Sequence, residues 1–495
     1  MTRSKILYNG FLFCVFGLLS FIGMLHHEIW IDEAHHWLIA RDSHSLQELI
    51  YHLRYDGHPP LWNVLLYFVS KATHDPMGMQ VLHLTFSMGA TFLFLFYSHF
   101  PKTIKGLYIF SYYVLFEYNL LSRNYSLLLF FLFLSVLLLH HRKHPILLAA
   151  SIALLANTHL FGLLLALGLL GYILYFEWNK IFINKHLFVF LILATGLGTS
   201  LYCLSSAVHS PFIHHIPYFK KAGVVLSSFL KGFFPVPDFS LPHFWNTNLF
   251  FTHFKVASYG LSMALFFLPF LFLFKKPGTL CLFYGCTFAI LFSIFLSTIS
   301  STRHFGILFF LFLISLWLSE KEPENAWYTR FGISSSFATF LSRVHCPILF
   351  AIFSIQSISG VFTYLQDLKR PFAEGKNVAQ YLKKQGLDNA FLMSFVAPTP
   401  TITSYLESKT FLVKAGNWAS HFDWEENYQA ETEEEVELAK AIKYANGQDR
   451  EAVLILYLPI STRSDISRQF VLLQAFTNSI VNNETFYVYQ FKKQE

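Results

Sequence analysis

The segment from His26 to Pro60, HHEIWIDEAHHWLIARDSHSLQELIYHLRYDGHPP, is the densest polar stretch in the N-terminal half and follows the first membrane-length apolar run. It places the carboxylates Glu28, Asp32 and Glu33 among several histidines. If the stretch is helical, Glu28, Asp32 and His36 share one face at i, i+4 spacing, and Glu33 turns about 100° away. Asp32 and Glu33 then cannot address the same atom equally. A division of labour follows, one carboxylate as a base and the other as an orienting acceptor. Two other readings stand beside this one. A charged face can simply be the wet side of an amphipathic helix lying on a membrane. The histidines also suggest a metal, but Glu28, His35 and His36 have no matching distant ligand set.

Further along, Gly57-His58-Pro59-Pro60 marks a helix start, where free N–H groups and the helix dipole favour an anion and His58 adds a donor. The plainer alternative is that the prolines only open the helix. Glu117 lies in or beside an apolar run and is followed by Arg123-Asn124-Tyr125. An ionisable group at membrane depth is a functional candidate by default, although Glu117 and Arg123 also suit a buried structural pair. Ser301-Thr302-Arg303-His304 opens another apolar run and offers cations to a phosphate, or else marks a snorkelling interface. His159, in a turn, is the weakest candidate.

These groups are carried by a chain of 495 residues that is 54% hydrophobic and 13% charged, with mean hydropathy +0.44. Soluble domains carry about a quarter charged residues, so a soluble enzyme is excluded. The net charge of +6 sits in short loops, which argues for membrane topology and against nucleic acid. The five cysteines lie in or beside apolar runs and make neither a disulfide framework nor a zinc spacing. The first apolar run lacks a small-residue cleavage site and is read as a retained span.

About eleven spans are expected, near 6–25, 79–100, 106–121, 125–139, 145–157, 160–177, 187–206, 256–274, 279–297, 305–319 and 346–365. The segment Pro59–Ala72, about 20 Å long as a helix, is expected to be interfacial or re-entrant. Under that parity one side receives Arg3/Lys5, Lys102/Lys105, Arg142/Lys143, Lys180/Lys185, Lys275/Lys276 and the 320–345 loop with Lys321, Arg330 and Arg343. The other side receives the loop 26–78, Arg123–Tyr125, Asn157–His159, the long 207–255 loop, Ser301–His304 and everything after about 366. Short basic loops belong in the cytoplasm, so every chemically interesting cluster falls on the outer face. Residues 1–365 form the expected membrane domain. From 366 to 495 the composition is that of a small soluble α/β domain, with helices over Glu374–Gln385, Glu433–Tyr444 and Asp465–Ala475 and strands in the apolar runs between and after them.

The Asp32-Glu33 pair after the first span, the Pro-Pro helix start about 25 residues on, the Arg123-x-Tyr125 turn and the outer α/β domain resemble a known pattern. It is that of the polytopic glycosyltransferases of the C-type superfamily (GT-C), in the family 39-like branch of protein O-mannosyltransferases and aminoarabinose transferases. The resemblance implies a polyprenyl-phosphate-linked sugar donor, a glycan, lipid or protein acceptor, and an active site at the outer membrane surface with Asp32 as base. The aminoarabinose branch carries a Lys before the proline of the interfacial helix. This chain has His58 there, which would act only when protonated or through a hydrogen bond. The family's second acidic residue lies in the next outer turn, where Glu117 is nearest.

The chemistry agrees. A polyprenyl phosphate leaves readily and needs cations more than a general acid, whereas a weak acceptor nucleophile needs a carboxylate to take its proton. A single base opposite the leaving group inverts the anomeric centre, by analogy with glycosidases. The expectation is an inverting transferase with Asp32 and Glu33 as the acidic pair. His58, Glu117, Arg123, Tyr125, Arg303 and His304 stand around the substrate, and no cofactor is called for. A bacterial inner membrane, with the site and the C-terminal domain facing the periplasm, is the expected location. The runner-up is a transporter or lipid-sugar flippase, which would show inverted repeats and broken helices at the bilayer midplane.

Overall fold

The computed structural model describes residues 3–141, 144–177, 186–207, 217–297, 301–325, 327, 335–395, 400–421, 433–461 and 465–493. Among the basic loop residues singled out above, Arg142, Lys143, Lys180, Lys185 and Arg330 lie outside this set, as does the side chain of Arg343. The chain folds as a polytopic helical body followed by a small α/β unit. Among the described residues seven helices are long and apolar enough to cross a membrane: Arg3–His26 (α1), Met77–Tyr97 (α5), and spans within His186–Ala207 (α10), Lys255–Leu273 (α13), Pro277–Ser297 (α14), Thr302–Ser319 (α15) and Ser335–Asp367 (α16). Shorter apolar helices complete the body: Leu61–Ser70 (α4), Tyr125–His141 (α7), Pro145–Ala156 (α8) and Leu160–Tyr172 (α9).

α15 is apolar on every face, and every residue from Phe305 to Leu318 is buried, so it forms the central rod of the body. α1 and α10 bury much less of their surface and present Leu and Phe outward, as a lipid-facing helix does.

The expected span 106–121 is not one helix. Lys102–Tyr108 (α6) stops, and Tyr112–Glu117 forms a π-helical turn before the chain continues irregularly to Asn124. Bulky Tyr112, Tyr113, Phe116 and Tyr118 are all fully packed here. Gly360 of α16 lies so close to the Phe110 carbonyl that no Cβ would fit between them. Irregular backbone at this depth survives because protein, not lipid, surrounds it. The long 207–255 loop also holds more structure than expected. Tyr218–Phe233 (α11) is amphipathic and packs on α13 and α15 through Phe229, Leu230 and Phe233.

One end of the body collects the segments expected on the outer face. The loop after α1 carries Ile31–Asp42 (α2) and Leu46–His52 (α3), and α2 packs along α4. Leu61 N donates to the Asn157 carbonyl at 3.2 Å, Asn124 Nδ2 to the Thr158 carbonyl at 2.8 Å, and His243 Nδ1 meets the Ser479 carbonyl at 3.1 Å. At the other end the basic loops tie to one another. Lys321 Nζ donates to the His140 carbonyl at 2.9 Å, and His99 Nδ1 lies 3.2 Å from Glu320 Oε2.

In the C-terminal unit, six strands among the described residues form a mixed sheet in the order β3-β2-β1-β4-β6-β5. They are Phe391–Ser394 (β1), Thr410–Leu412 (β2), Asn417–Ala419 (β3), Ala452–Leu456 (β4), Phe470–Phe476 (β5) and Phe486–Phe491 (β6). β1 is parallel to both β2 and β4, and these two central strands are buried throughout. Gly375–Gln385 (α17) covers one face through Val378 and Leu382, and Glu434–Asn446 (α19) covers the other through Leu438 and Ala441. A helix over Asp465–Ala475 does not form. Phe470–Phe476 instead pairs antiparallel with β6, with a bulge between Leu472 and Gln474. A short apolar run carries little periodicity of its own, and the open edge of β6 decides its state.

Candidate active site

α2 opens at Ile31. The Trp30 amide donates to Glu33 Oε2 at 3.0 Å, and the Ile31 amide donates to Glu484 Oε1 at 2.7 Å. Two acidic residues, Asp32 and Glu33, occupy the first turn, where the helix dipole favours them. Because the helix begins only at Ile31, Glu28 lies outside it and does not share the face of Asp32 and His36. It lies instead near Lys376 and Glu374 of the α/β unit, and burial, opposed by Lys376 and aided by Glu374, pushes its carboxyl up to about 8.

The neighbours Asp32 and Glu33 are separated by the helical turn. Glu33 is fully buried. Its Oε2 also meets His27 Nε2 at 3.4 Å, and its Oε1 accepts from the Ser122 amide. His27 Nδ1 reaches Asp367 Oδ2 at 3.0 Å. Burial alone would lower the His27 imidazole, but Asp367 and Glu33 outweigh it and raise it to about 10, so a cation sits between two carboxylates. Glu33 therefore ties the first loop to the 118–124 turn and to the end of α16, with its oxygens turned away from Asp32's face. It has the geometry of the orienting acceptor.

Asp32 faces the other way. Its side chain is 30% exposed and its Oδ2 pairs with Arg303 Nη2 at 2.8 Å. Arg123 Nη1 donates to the Asp32 backbone carbonyl at 2.7 Å. The Arg303 guanidinium lies 4.7 Å above the Trp30 ring and 5.8 Å from that of Trp245, and the two indoles meet edge to face at 4.7 Å. Tyr118 OH donates to the Arg303 carbonyl and its ring stacks on Tyr125 at 4.9 Å. Glu117 is buried behind this group, where Oε2 accepts from Tyr112 OH at 2.8 Å and Trp245 Nε1 at 3.1 Å. Among the described residues Arg303 Nη1, Arg123 Nε and Trp30 Nε1 are buried donors with no partner, and Glu117 Oε1 is a buried acceptor with none.

The remaining candidates fall to one side. His58 follows Gly57, whose φ of +67° makes the turn, and its Nδ1 meets the Asp56 carbonyl at 2.6 Å. Facing a carbonyl oxygen, Nδ1 carries the proton, and Nε2 is left as an acceptor. Burial and Arg123 push this imidazole down to about 4, with Asp56 pulling the other way. A neutral ring of this tautomer offers no donor to a phosphate. The helix start behind it is also engaged, through the Leu61–Asn157 bond. His58 instead packs against His159 at 5.0 Å and His36 at 5.9 Å. His304 Nδ1 bonds Ser301 Oγ at 2.5 Å, and its ring lies 6.2 Å from Tyr125.

The structure thus gathers Asp32, Arg123, Arg303, Tyr125 and Glu117 into one cluster, with Glu33 turned behind Asp32 and His58 and His304 in an adjoining histidine cluster. Trp30, Trp245, His27, Asp367 and Glu484 were not anticipated. Asp367 had a signal, an acid closing an apolar span. Glu484 had none. Among the described residues no group of three or more His, Cys, Asp or Glu side chains is arranged to hold a metal ion.

No protein-family model matches the chain, and no curated protein matches it. Its structure is similar to the crystal structure of ArnT from Cupriavidus metallidurans in the apo state, with a TM-score of 0.52 over 98% of each chain at 12% identity. From its first helix to its terminal sheet, this chain shares the fold of that ArnT structure.

Proposed function

We propose that the protein is an integral membrane glycosyltransferase that moves a sugar from a polyprenyl-phosphate donor to an acceptor hydroxyl or amine, with inversion and with Asp32 as base. The observation that carries this reading is the charge balance at Asp32. Arg303 pairs with its carboxylate and Arg123 with its backbone carbonyl, and each guanidinium keeps one buried N–H donor unpartnered. Buried donors without acceptors are costly, and an incoming phosphate would satisfy them. In binding Arg303 and Arg123 it competes with Asp32 for Arg303 and frees the carboxylate to accept a proton.

The acceptor O–H or N–H then gives its proton to Asp32 as its lone pair forms the bond to the anomeric carbon. The bond from that carbon to the phosphate oxygen breaks with its electron pair, which the guanidiniums stabilise. Glu33 is turned away and fully bonded, and Glu117 is buried behind the cluster and held by Tyr112 and Trp245, so neither stands ready as a nucleophile, which supports inversion. The acceptor is a glycan, a lipid or a protein. The fold of ArnT and the basic loops at the opposite end support a bacterial inner membrane with the site on the periplasmic side.

The test is Asp32→Asn in purified protein given a panel of undecaprenyl-phosphate-linked sugars and a membrane extract. Transfer is expected to fall by about 10²–10⁴ while the protein inserts and folds as before. Retained transfer would sink the assignment.

A further inference from the structure

A proton taken by a half-buried carboxylate has to leave again before the next turnover. We propose that His58, His36, His35, His421 and His52 form a relay that carries the proton released at Asp32 to solvent. This rests on the transferase reading above. The rings succeed one another without a gap: His58 to His36 at 5.9 Å, His36 to His35 at 5.5 Å, His35 to His421 at 6.0 Å and His421 to His52 at 5.6 Å. Centroid separations of this size put consecutive rings in edge-to-face contact, so rotation of a ring brings its nitrogen within reach of the next.

The inner end lies at the site, because His36 follows Asp32 by one turn of α2 on the same face and its ring meets that of His58. The outer end lies at the surface. His52 is 28% exposed and faces Glu48 across one turn of α3 at 3.7 Å. The middle is anchored by Asp56, with Oδ1 3.4 Å from His35 Nε2 and Oδ2 3.8 Å from His36 Nδ1, while Asn63 holds His36 Nδ1 at 2.8 Å. His421 comes from the α/β unit, just after β3. Its Nδ1 lies 3.1 Å from Ser420 Oγ, which in turn bonds Asp42 at the end of α2.

The proton balance is simple. Asp32 gives up the proton it received, His58 takes it on Nε2 and becomes an imidazolium, and it returns to neutral by releasing that proton toward His36, Asp56 and His35. One proton enters and one leaves at His52. Burial holds His58 and His421 far below the ordinary imidazole range, at about 4 and about 3. These two rings are therefore charged only in transit. The competing route is the product itself, since a phosphate monoester with a second pKa of about 6 can carry the proton away.

The relay is tested on the full-length protein with His421→Ala and His52→Ala. Turnover of undecaprenyl-phosphate-linked sugars above pH 7 is expected to fall about 10- to 100-fold for His421→Ala, with donor KM unchanged and with recovery on adding free imidazole. Unchanged turnover would assign the proton to the departing phosphate, and a loss without imidazole rescue would make His421 structural. Either result overturns the relay. A second measurement does not depend on transfer. In histidine-labelled protein studied by NMR, the ring N–H of His58 should exchange with water more slowly in either variant than in wild type, and equal rates also reject the relay. If wild type turns over none of the sugars, the transferase reading fails, and the exchange rates still decide the relay.

Discussion

Asp32 and Glu33 adjoin in the chain and end in opposite environments, one partly exposed beside two arginines and one sealed among backbone amides and an imidazolium. The 100° step of a helix made that separation legible in the sequence. Which carboxylate faced which way was not, because it depends on Ser122 and Asp367, far along the chain. Replacing each residue separates the roles. Glu33→Ala leaves the His27 cation short of one carboxylate and three buried donors without their acceptor, and it is expected to cost about 3–5 kcal/mol. Glu33→Gln keeps the shape and should cost about 1–3 kcal/mol. Thermal unfolding in detergent would register both losses, whereas Asp32→Asn should leave the unfolding midpoint near wild type. A Glu33→Ala protein as stable as wild type would remove Glu33 from this positioning role.

Among the elements, the membrane helices and the central strands were written locally, in long apolar runs such as those of α15 and β4. The short helix after Pro59-Pro60 was legible too, because proline opens helices and ten residues are too few to span a bilayer. Two elements were not legible. The broken segment between α6 and α7 has a span-like composition, and it is interrupted because α16 presses on it at Gly360. The edge strand β5 has no pattern apart from the partner it meets. Gly360→Ala tests the first of these. Its Cβ would meet the Phe110 carbonyl and the Tyr112 amide, backbone atoms that cannot swing aside. The variant is expected to lose about 1–3 kcal/mol and to disturb Tyr112, which holds Glu117. Unfolding and transfer measured on the same preparation would check this, and a neutral substitution would show that the segment can yield.

Across the whole molecule, the α/β unit is joined to the first loop by ionisable groups held away from their ordinary values. Burial raises Glu484 and Glu28 from 4.5 to about 8, and the two carboxylates raise His27 from 6.5 to about 10. For the two acids the folded protein keeps a proton that the unfolded chain releases above about pH 4.5, so stability falls as pH rises from there to about 8. For His27 the stabilisation is complete below about pH 6.5 and is lost as pH climbs through about 10. All three act in one direction. The unfolding midpoint is expected to decline steadily from pH 5 to pH 9, and Glu484→Gln should flatten that decline by removing one titration. A midpoint that rises with pH would contradict the assignment.

The bond from the Ile31 amide to Glu484 spans 453 residues of sequence. As the nascent chain emerges from a ribosome, α2 is made long before the residue that clamps it. Until Glu484 has been translated and the sheet around it folded, Ile31 lacks its acceptor and Asp32 beside it a fixed direction. The helical body is therefore made before the first loop is clamped, and a chain cut short of Glu484 leaves that loop without its anchor.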